Sequence, residues 1–235
     1  MKIIGVGLSR TGSMSLKYAL DDLGFPCYHM IVAVENFARG DLDQWLDFME
    51  GRTKMDWDSV FEGYDATVDT PPAVYYEELY EKYPDAKFIL TVRNADNWYA
   101  SLSKLMNMHD TLIEKLTFMP RFKAFQRVYR ILEKEVKKYG DDKESIIKYF
   151  HAHNDAVKSF IPSEKLLVFE VKDGWGPLCE FLGVEIPDKE FPNLNSGVDS
   201  LDKIFKQILI KDLIRNVGPW ILGIVVIIIL LINFL

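Results

Sequence analysis

The sequence predicts an α/β fold built on a central parallel sheet, and three observations predict it. Short apolar runs at Ile3-Ile4, Ala66-Thr67-Val68, Phe88 to Val92 and Leu166 to Phe169 alternate with stretches of helical spacing, as βαβ units do. The run Phe88-Ile89-Leu90-Thr91-Val92 lacks polar alternation, which suits a strand buried on both faces. The first run leads directly into a glycine-bearing loop and a helix start between Gly5 and Ser15.

At 235 residues, 49% of them apolar, the chain can bury one substantial core. The simplest division is a globular domain over residues 1–197, a basic amphipathic linker at 198–216 and an apolar tail at 217–235. That composition excludes intrinsic disorder, and a net charge of −7 argues against a nucleic-acid partner. Cys27 and Cys179 are too few for a disulfide framework and read as small buried side chains. Met1-Lys2 leads straight into the first strand, so no signal peptide is expected.

The first strand spans Lys2 to Val6, and Ser15 to Leu20 has helical spacing. Between them Gly7 and Gly12 stand at the Walker separation, but Ser13 and Met14 occupy the positions where that pattern needs Lys and Ser/Thr. Strand, glycine loop and helix N-terminus make an anion cradle: first-turn amides converge, and the helix dipole adds about half a positive charge. Without the loop Lys and the magnesium-holding hydroxyl, the cradle suits a singly charged sulfuryl group better than a nucleoside triphosphate, with Arg10 as the cation. A tight turn exposing Arg10 is the competing reading.

Leu23 to Pro26 stops the first helix, and Pro26 to His29 forms a short second strand. His29 at its far end faces the crevice of a parallel sheet, where it contacts an acceptor substrate or shares its proton; a partly buried His bonding a backbone carbonyl is the alternative. Residues 31–62 contain helical stretches, including Leu42 to Met49. Asp65 to Asp69 is a third strand closed by Pro71-Pro72, and a carboxylate at its end serves as general base, helix N-cap or metal ligand.

Tyr75 to Tyr83 is a helix and Lys87 to Val92 the central strand. Arg93 leaves that strand, and Asn94 to Asp96 caps a helix carrying Trp98 and Ser101. An Arg fork and a Ser hydroxyl so placed can meet on one phosphate, unless the Arg caps strand carbonyls and the Ser packs. Residues 103–160 read as helical, with Tyr129, Ile131, Leu132 and Val136 as an apolar stripe. Met106, Met108, Phe118, Met119 and Phe122 are candidates to line an apolar pocket, or plain core. His151 and His153 fall on different helix faces, so no zinc site is expected. Leu166 to Glu170 is the last strand, and the helix from Trp175 ends at Gly183.

GLSRTGSMSL at 7–16 resembles the phosphosulfate loop of PAPS-dependent sulfotransferases, in the short branch whose loop runs G-L-x-R-T-G-T-x-S-L; Ser13 replaces the usual Thr. The likeness continues through CYHM at 27–30, GYDATVD at 63–69, YPDAKFILTVRNADNWYASL at 83–102 and GWGPLCEFLGVEIP at 174–187. It implies a P-loop NTPase-like three-layer fold and PAPS (3′-phosphoadenosine 5′-phosphosulfate) as donor, with no metal. The acceptor it implies is a hydroxyl or amine of a small, apolar molecule.

Carried onto this chain, the likeness makes Arg10, Thr11, Gly12, Ser13, Met14 and Ser15 the phosphosulfate loop, with Arg10 balancing charge on the leaving phosphate. Arg93 and Ser101 become the 3′-phosphate site, Lys172 and Trp175 part of the segment closing over the nucleotide, with a packing anchor as the alternative for Trp175, and Asp69 the general base. The longer glycine-rich C-terminal phosphate motif of the cytosolic members is missing, so the likeness supplies no further 3′-phosphate contacts. A P-loop nucleotide kinase and an inactive, membrane-tethered nucleotide binder are the competing classes.

Leu201, Ile204, Phe205, Ile208 and Leu209 alternate with Lys203, Lys206 and Lys211, giving an amphipathic helix with a basic side. Val217 to Leu235 is apolar apart from Gly218, Pro219 and Asn233. Nineteen residues at about 1.5 Å each span about 28 Å, close to the hydrocarbon core of a bilayer. A single-pass C-terminal membrane anchor, a transmembrane helix, is expected, and Lys211 and Arg215 ahead of it leave the domain on the cytosolic side.

Overall fold

The computed structural model describes residues 1–192, 206–211 and 214. It divides into two units, Met1–Leu194 and Asn195–Leu235. In the first unit β1 (Ile3–Gly5), α1 (Ser13–Asp22), β2 (Cys27–Tyr28) and α2 (Met30–Glu35) are followed by α3 (Asp41–Met49) and α4 (Trp57–Val60). Next come β3 (Ala66–Thr67), α5 (Tyr76–Lys82), β4 (Lys87–Thr91), α6 (Ala95–Met108), α7 (Pro120–Val136), α8 (Lys143–Phe160), β5 (Leu166–Phe169) and α9 (Trp175–Leu182).

The five strands pair in parallel in the order β2-β3-β1-β4-β5. β1 therefore lies between β3 and β4, and the loops leaving these three strands emerge side by side, the place where open parallel sheets bind ligands. Their residues are apolar because both faces are covered. Ile3 and Ile89 enter a cluster with Leu16 and Leu20 of α1 and Leu178 of α9. On the other face Phe88 meets Tyr80 of α5, with ring centroids 5.6 Å apart. There too His153 of α8 donates from Nε2 to the Val6 carbonyl at 2.8 Å, which leaves this histidine structural.

The strands end earlier than the apolar runs suggest. β3 stops before Asp69, whose φ of 78° cannot continue a strand. His29 lies beyond β2 as the N-cap of α2, and Asn94 caps α6 by accepting from the Asn97 amide at 3.1 Å. α1 begins two residues before the predicted Ser15, at Ser13. Between α6 and α7 the chain takes a π turn at His109–Ile113 and a 3-10 turn at Glu114–Leu116 before Pro120 starts α7.

In the second unit residues 206–211 and 214 are helical, inside the expected amphipathic segment. The anchor expected at 217–235 lies outside the described residues, and among the described residues no helix is long and apolar enough to cross a membrane.

Candidate active site

The loop after β1 is shaped by two close approaches. A Cβ on Gly7 would sit 2.6 Å from the Thr91 carbonyl oxygen, so only glycine lets the loop lie against β4. Gly12, at φ 109°, turns the chain into α1, and a Cβ there would collide with Val171 Cγ2. No side chain caps α1 after that turn, so its first amides and the helix dipole present positive potential to an anion. Thr11 is committed inside the loop: its hydroxyl donates to the Leu8 carbonyl at 2.6 Å and thus accepts from Thr91 Oγ1 at 2.5 Å, and its amide turns to Leu8 as well.

Arg10 and Asp69 are non-glycine residues at φ 74° and 78°, a backbone state that costs about 1 kcal/mol or more and gathers at functional sites. The buried Asp69 carboxylate is fully engaged. Its Oδ1 accepts from Ser9 Oγ at 2.6 Å and from Ser13 Oγ at 3.2 Å, while Oδ2 lies 3.3 Å from His29 Nε2. His29 Nδ1 accepts from the Ile31 amide at 3.1 Å, so a neutral ring carries its proton on Nε2, facing Asp69 and Ser13. Burial pushes the His29 pKa down, against the opposing pull of Asp69, and Lys17 and Arg10 add to the lowering. The predicted His29 is therefore a buried donor to Asp69, and it accepts a backbone amide where a backbone carbonyl contact was the alternative. Asp69 does not act as an N-cap: Pro71 precedes the 3-10 turn at Pro72–Tyr75, with no side-chain cap.

Arg10 joins the loop to the far end of the site. Its Nε donates to Ser101 Oγ at 3.0 Å, and its carbonyl accepts from Arg93 Nη1 at 2.9 Å. The two residues predicted to meet on one phosphate thus meet first on Arg10. Burial pushes the Arg10 pKa down, Asp69 opposes this and Arg93 reinforces it, so two guanidinium groups stand close enough to favour an anion between them. Ser9 was missed in the sequence, although its indirect mark was there: it is the variable position of the loop, and it bonds Asp69, Thr70 Oγ1 at 2.5 Å and, through its carbonyl, Trp98 Nε1 at 2.9 Å.

A family of known proteins, described as the sulfotransferase domain, matches residues 2–200. The chain belongs to the sulfotransferase family. A relative, "Ava biosynthesis cluster protein M" of Aspergillus versicolor, is 31% identical over 222 residues, covering 83% of this chain and 80% of that protein.

Two other candidates of this sulfotransferase have their partners elsewhere. Trp175 is buried in the core, donates from Nε1 to the Lys189 carbonyl at 2.8 Å and packs edge-on against Phe191. Lys172 is exposed and paired with Glu170 at 2.8 Å; it sits in the turn whose Val171 fills the space beside Gly12. Among the described residues no group of three or more His, Cys, Asp or Glu could hold a metal ion.

Next to the loop lies an apolar pocket of about 60 Å³, partly open to solvent, lined by Leu8, Ser9 and Thr70 and by residues of α6, α7 and α8. Of the five predicted lining residues only Met106 reaches it. Met108 and Phe122 are core, and Phe118 is 77% exposed. The Tyr129, Leu132 and Val136 side of the predicted stripe supplies the wall in their place.

Proposed function

We propose that this sulfotransferase transfers a sulfuryl group from PAPS to a hydroxyl or amine of a small, apolar acceptor, with Asp69 as general base. The observation that carries this reading is the Asp69 carboxylate bonded to two hydroxyls of the loop, Ser9 and Ser13. A base set against the loop that grips the transferred group is within reach of an incoming nucleophile. The residues also fit the donor: uncapped first-turn amides of α1 suit its phosphosulfate, and Arg93 with Ser101 stands one guanidinium away to take its 3′-phosphate.

In the reaction, the acceptor oxygen or nitrogen bonds to sulfur as the bond from sulfur to the donor's bridging oxygen breaks. The electron pair leaves with the product nucleotide, PAP, and the acceptor's proton passes to an Asp69 oxygen. Arg10 and the amides at Gly12 to Ser15 offset the charge growing on the leaving phosphate, a role in which one donor is worth about 10²- to 10³-fold. His29, fixed as a donor by the Ile31 amide, holds the carboxylate in line. A nucleotide kinase would need Lys where Ser13 stands.

Thermal unfolding of the full chain with PAP, or with ATP and Mg²⁺, tests this. PAP at 100 times its Kd is expected to add about 2.7 kcal/mol; a response to ATP and Mg²⁺ alone overturns the reading. Sulfated product formed from PAPS then separates an enzyme from an inactive binder. We also propose that residues 217–235 anchor the chain in a membrane, on the strength of their near-continuous apolar sequence. Retention in the membrane pellet after alkaline carbonate supports this, and release refutes it.

A further inference from the structure

Three side chains hold the Asp69 carboxylate, and they belong to different parts of the site. Ser13 starts α1, His29 caps α2 and Ser9 lies in the loop after β1. Asp69 itself is only 6% exposed. Of its three partners among the described residues, Ser9 alone also lines the apolar pocket, beside Thr70. A carboxylate only accepts, so the 2.6 Å bond commits the Ser9 proton to Asp69 and leaves Thr70 the donor in the 2.5 Å bond between the two hydroxyls. Both hydroxyl protons thus run toward the carboxylate. Trp98, stacked on Phe150 with ring centroids 4.5 Å apart, donates to the Ser9 carbonyl at 2.9 Å and fixes the backbone from which that hydroxyl projects.

We infer that Ser9 relays the acceptor's proton to Asp69. This rests on the sulfuryl transfer proposed above, with the pocket as the place where its acceptor binds. As the acceptor oxygen or nitrogen bonds to sulfur, its bond to hydrogen breaks and that proton joins Ser9 Oγ. In the same step the Ser9 proton leaves Oγ for Asp69 Oδ1. Ser9 ends neutral, as it began, and Asp69 holds one proton more. A hydroxyl oxygen can accept two hydrogen bonds, and Thr70 fills one of these on Ser9, so one remains for the acceptor. Direct transfer would have to reach a carboxylate whose Oδ1 already takes two hydroxyls and whose Oδ2 lies 3.3 Å from His29. Thr70 acts as a positioning residue, since its hydrogen bond turns the Ser9 hydroxyl. A relay aligned before the acceptor arrives needs no reorientation during the transfer.

The test uses the full chain with PAPS and two probe acceptors, 2-naphthol and 2-phenylethanol. Ser9→Ala is expected to lower kcat about 10²-fold for both, with the KM for PAPS and the thermal shift with PAP retained. Ser9→Thr keeps the hydroxyl and is expected to recover about tenfold or more of that loss. A hydroxyl that merely props Asp69 would give the same fall, so the deciding measurement is wild-type kcat in mixtures of H₂O and D₂O on the pH plateau. Two protons moving together make kcat fall along a curve as the deuterium fraction rises, whereas direct transfer of one proton gives a straight line. A straight line, or a rate indifferent to D₂O, overturns the relay. So does Ser9→Ala with wild-type kcat, or Ser9→Thr no faster than Ser9→Ala. A wild-type protein that responds to PAP yet sulfates neither probe has no acceptor site at Ser9, which also overturns it. Absence of any PAP response in the wild type sinks the donor reading itself, a separate failure.

Discussion

The two sides of the site are made of opposite materials. On the loop side Ser9, Arg10, Thr11 and Ser13 are tied to Asp69, Ser101, Thr91 and Arg93 by side-chain and carbonyl hydrogen bonds, and two residues accept a left-handed backbone to make those bonds. On the cavity side α6, α7 and α8 offer mainly hydrocarbon, with Glu133 the one ionisable carboxylate among the lining residues. Charge that develops during a reaction needs donors already aimed at it, because reorienting them at that moment raises the barrier. An apolar acceptor needs only a surface to leave water for. Damage to the loop side should therefore slow every acceptor alike, whereas damage to the cavity side should change which acceptor is used.

The sharpest way to break that contrast is Asp69→Asn. The amide retains the size of the carboxylate and cannot take a proton, so kcat is expected to fall about 10²- to 10⁴-fold for every acceptor tested. Stabilisation by PAP should persist. A normal turnover number in steady-state assays would leave the transfer without Asp69. Arg10→Ala ranks next, with about a 10²- to 10³-fold loss in turnover and a circular dichroism spectrum of the folded protein. A loss confined to one acceptor would place Arg10 on the wrong side of the comparison.

The same contrast explains what could be read in the sequence. The loop side follows from short-range rules: Gly7 and Gly12 at fixed spacing, a strand that must stop near Pro71, and an Arg leaving the most apolar strand. Its partners did not follow. That His29 would donate to Asp69, or Ser9 bond it, depends on β2, β3 and β1 lying side by side in that order, a long-range fact with no local mark. The cavity side was misread for a related reason. Met106 and Met108 are neighbours on one helix, yet the first borders the cavity and the second is core, since two residues along a helix turn a side chain through about 200°. Trp175 combines a family position with a large apolar surface, and its buried ring packs on Phe191 while Nε1 bonds the Lys189 carbonyl.

Arg93→Ala sharpens the loop side further. Arg93 donates to the Arg10 carbonyl and stands beside Ser101's partner, so its removal should weaken one end of the nucleotide and leave the chemistry in place. A charge-assisted hydrogen bond is worth about 1.5–3 kcal/mol. The KM for PAPS is expected to rise about tenfold or more with kcat little changed. The preference for PAP over 5′-AMP, which lacks the 3′-phosphate, should shrink by the same factor in thermal-shift titrations. An unchanged preference would move the 3′-phosphate site away from Arg93.

The mildest expected effect comes from acid, and it also divides the two sides. Burial holds His29 beside Asp69 and His109 beneath Tyr129 below the usual histidine range, but only His29 has a carboxylate that pulls the other way. His109, with Nδ1 unpartnered, is pushed down to about 3. A histidine that stays neutral when folded and protonates near pH 6.5 when unfolded contributes stability that is complete above pH 6.5 and is lost as pH falls toward its folded value. Between pH 6.5 and 5.5 His109 should therefore remove about 1 kcal/mol. His109→Phe, which can keep the stack on Tyr129, should lack that part of the loss in urea unfolding at the two pH values. If His109→Phe and the wild type lose stability equally, the buried imidazole under the acceptor wall takes up its proton without unfolding, and the wall is wetter than its hydrocarbon lining implies.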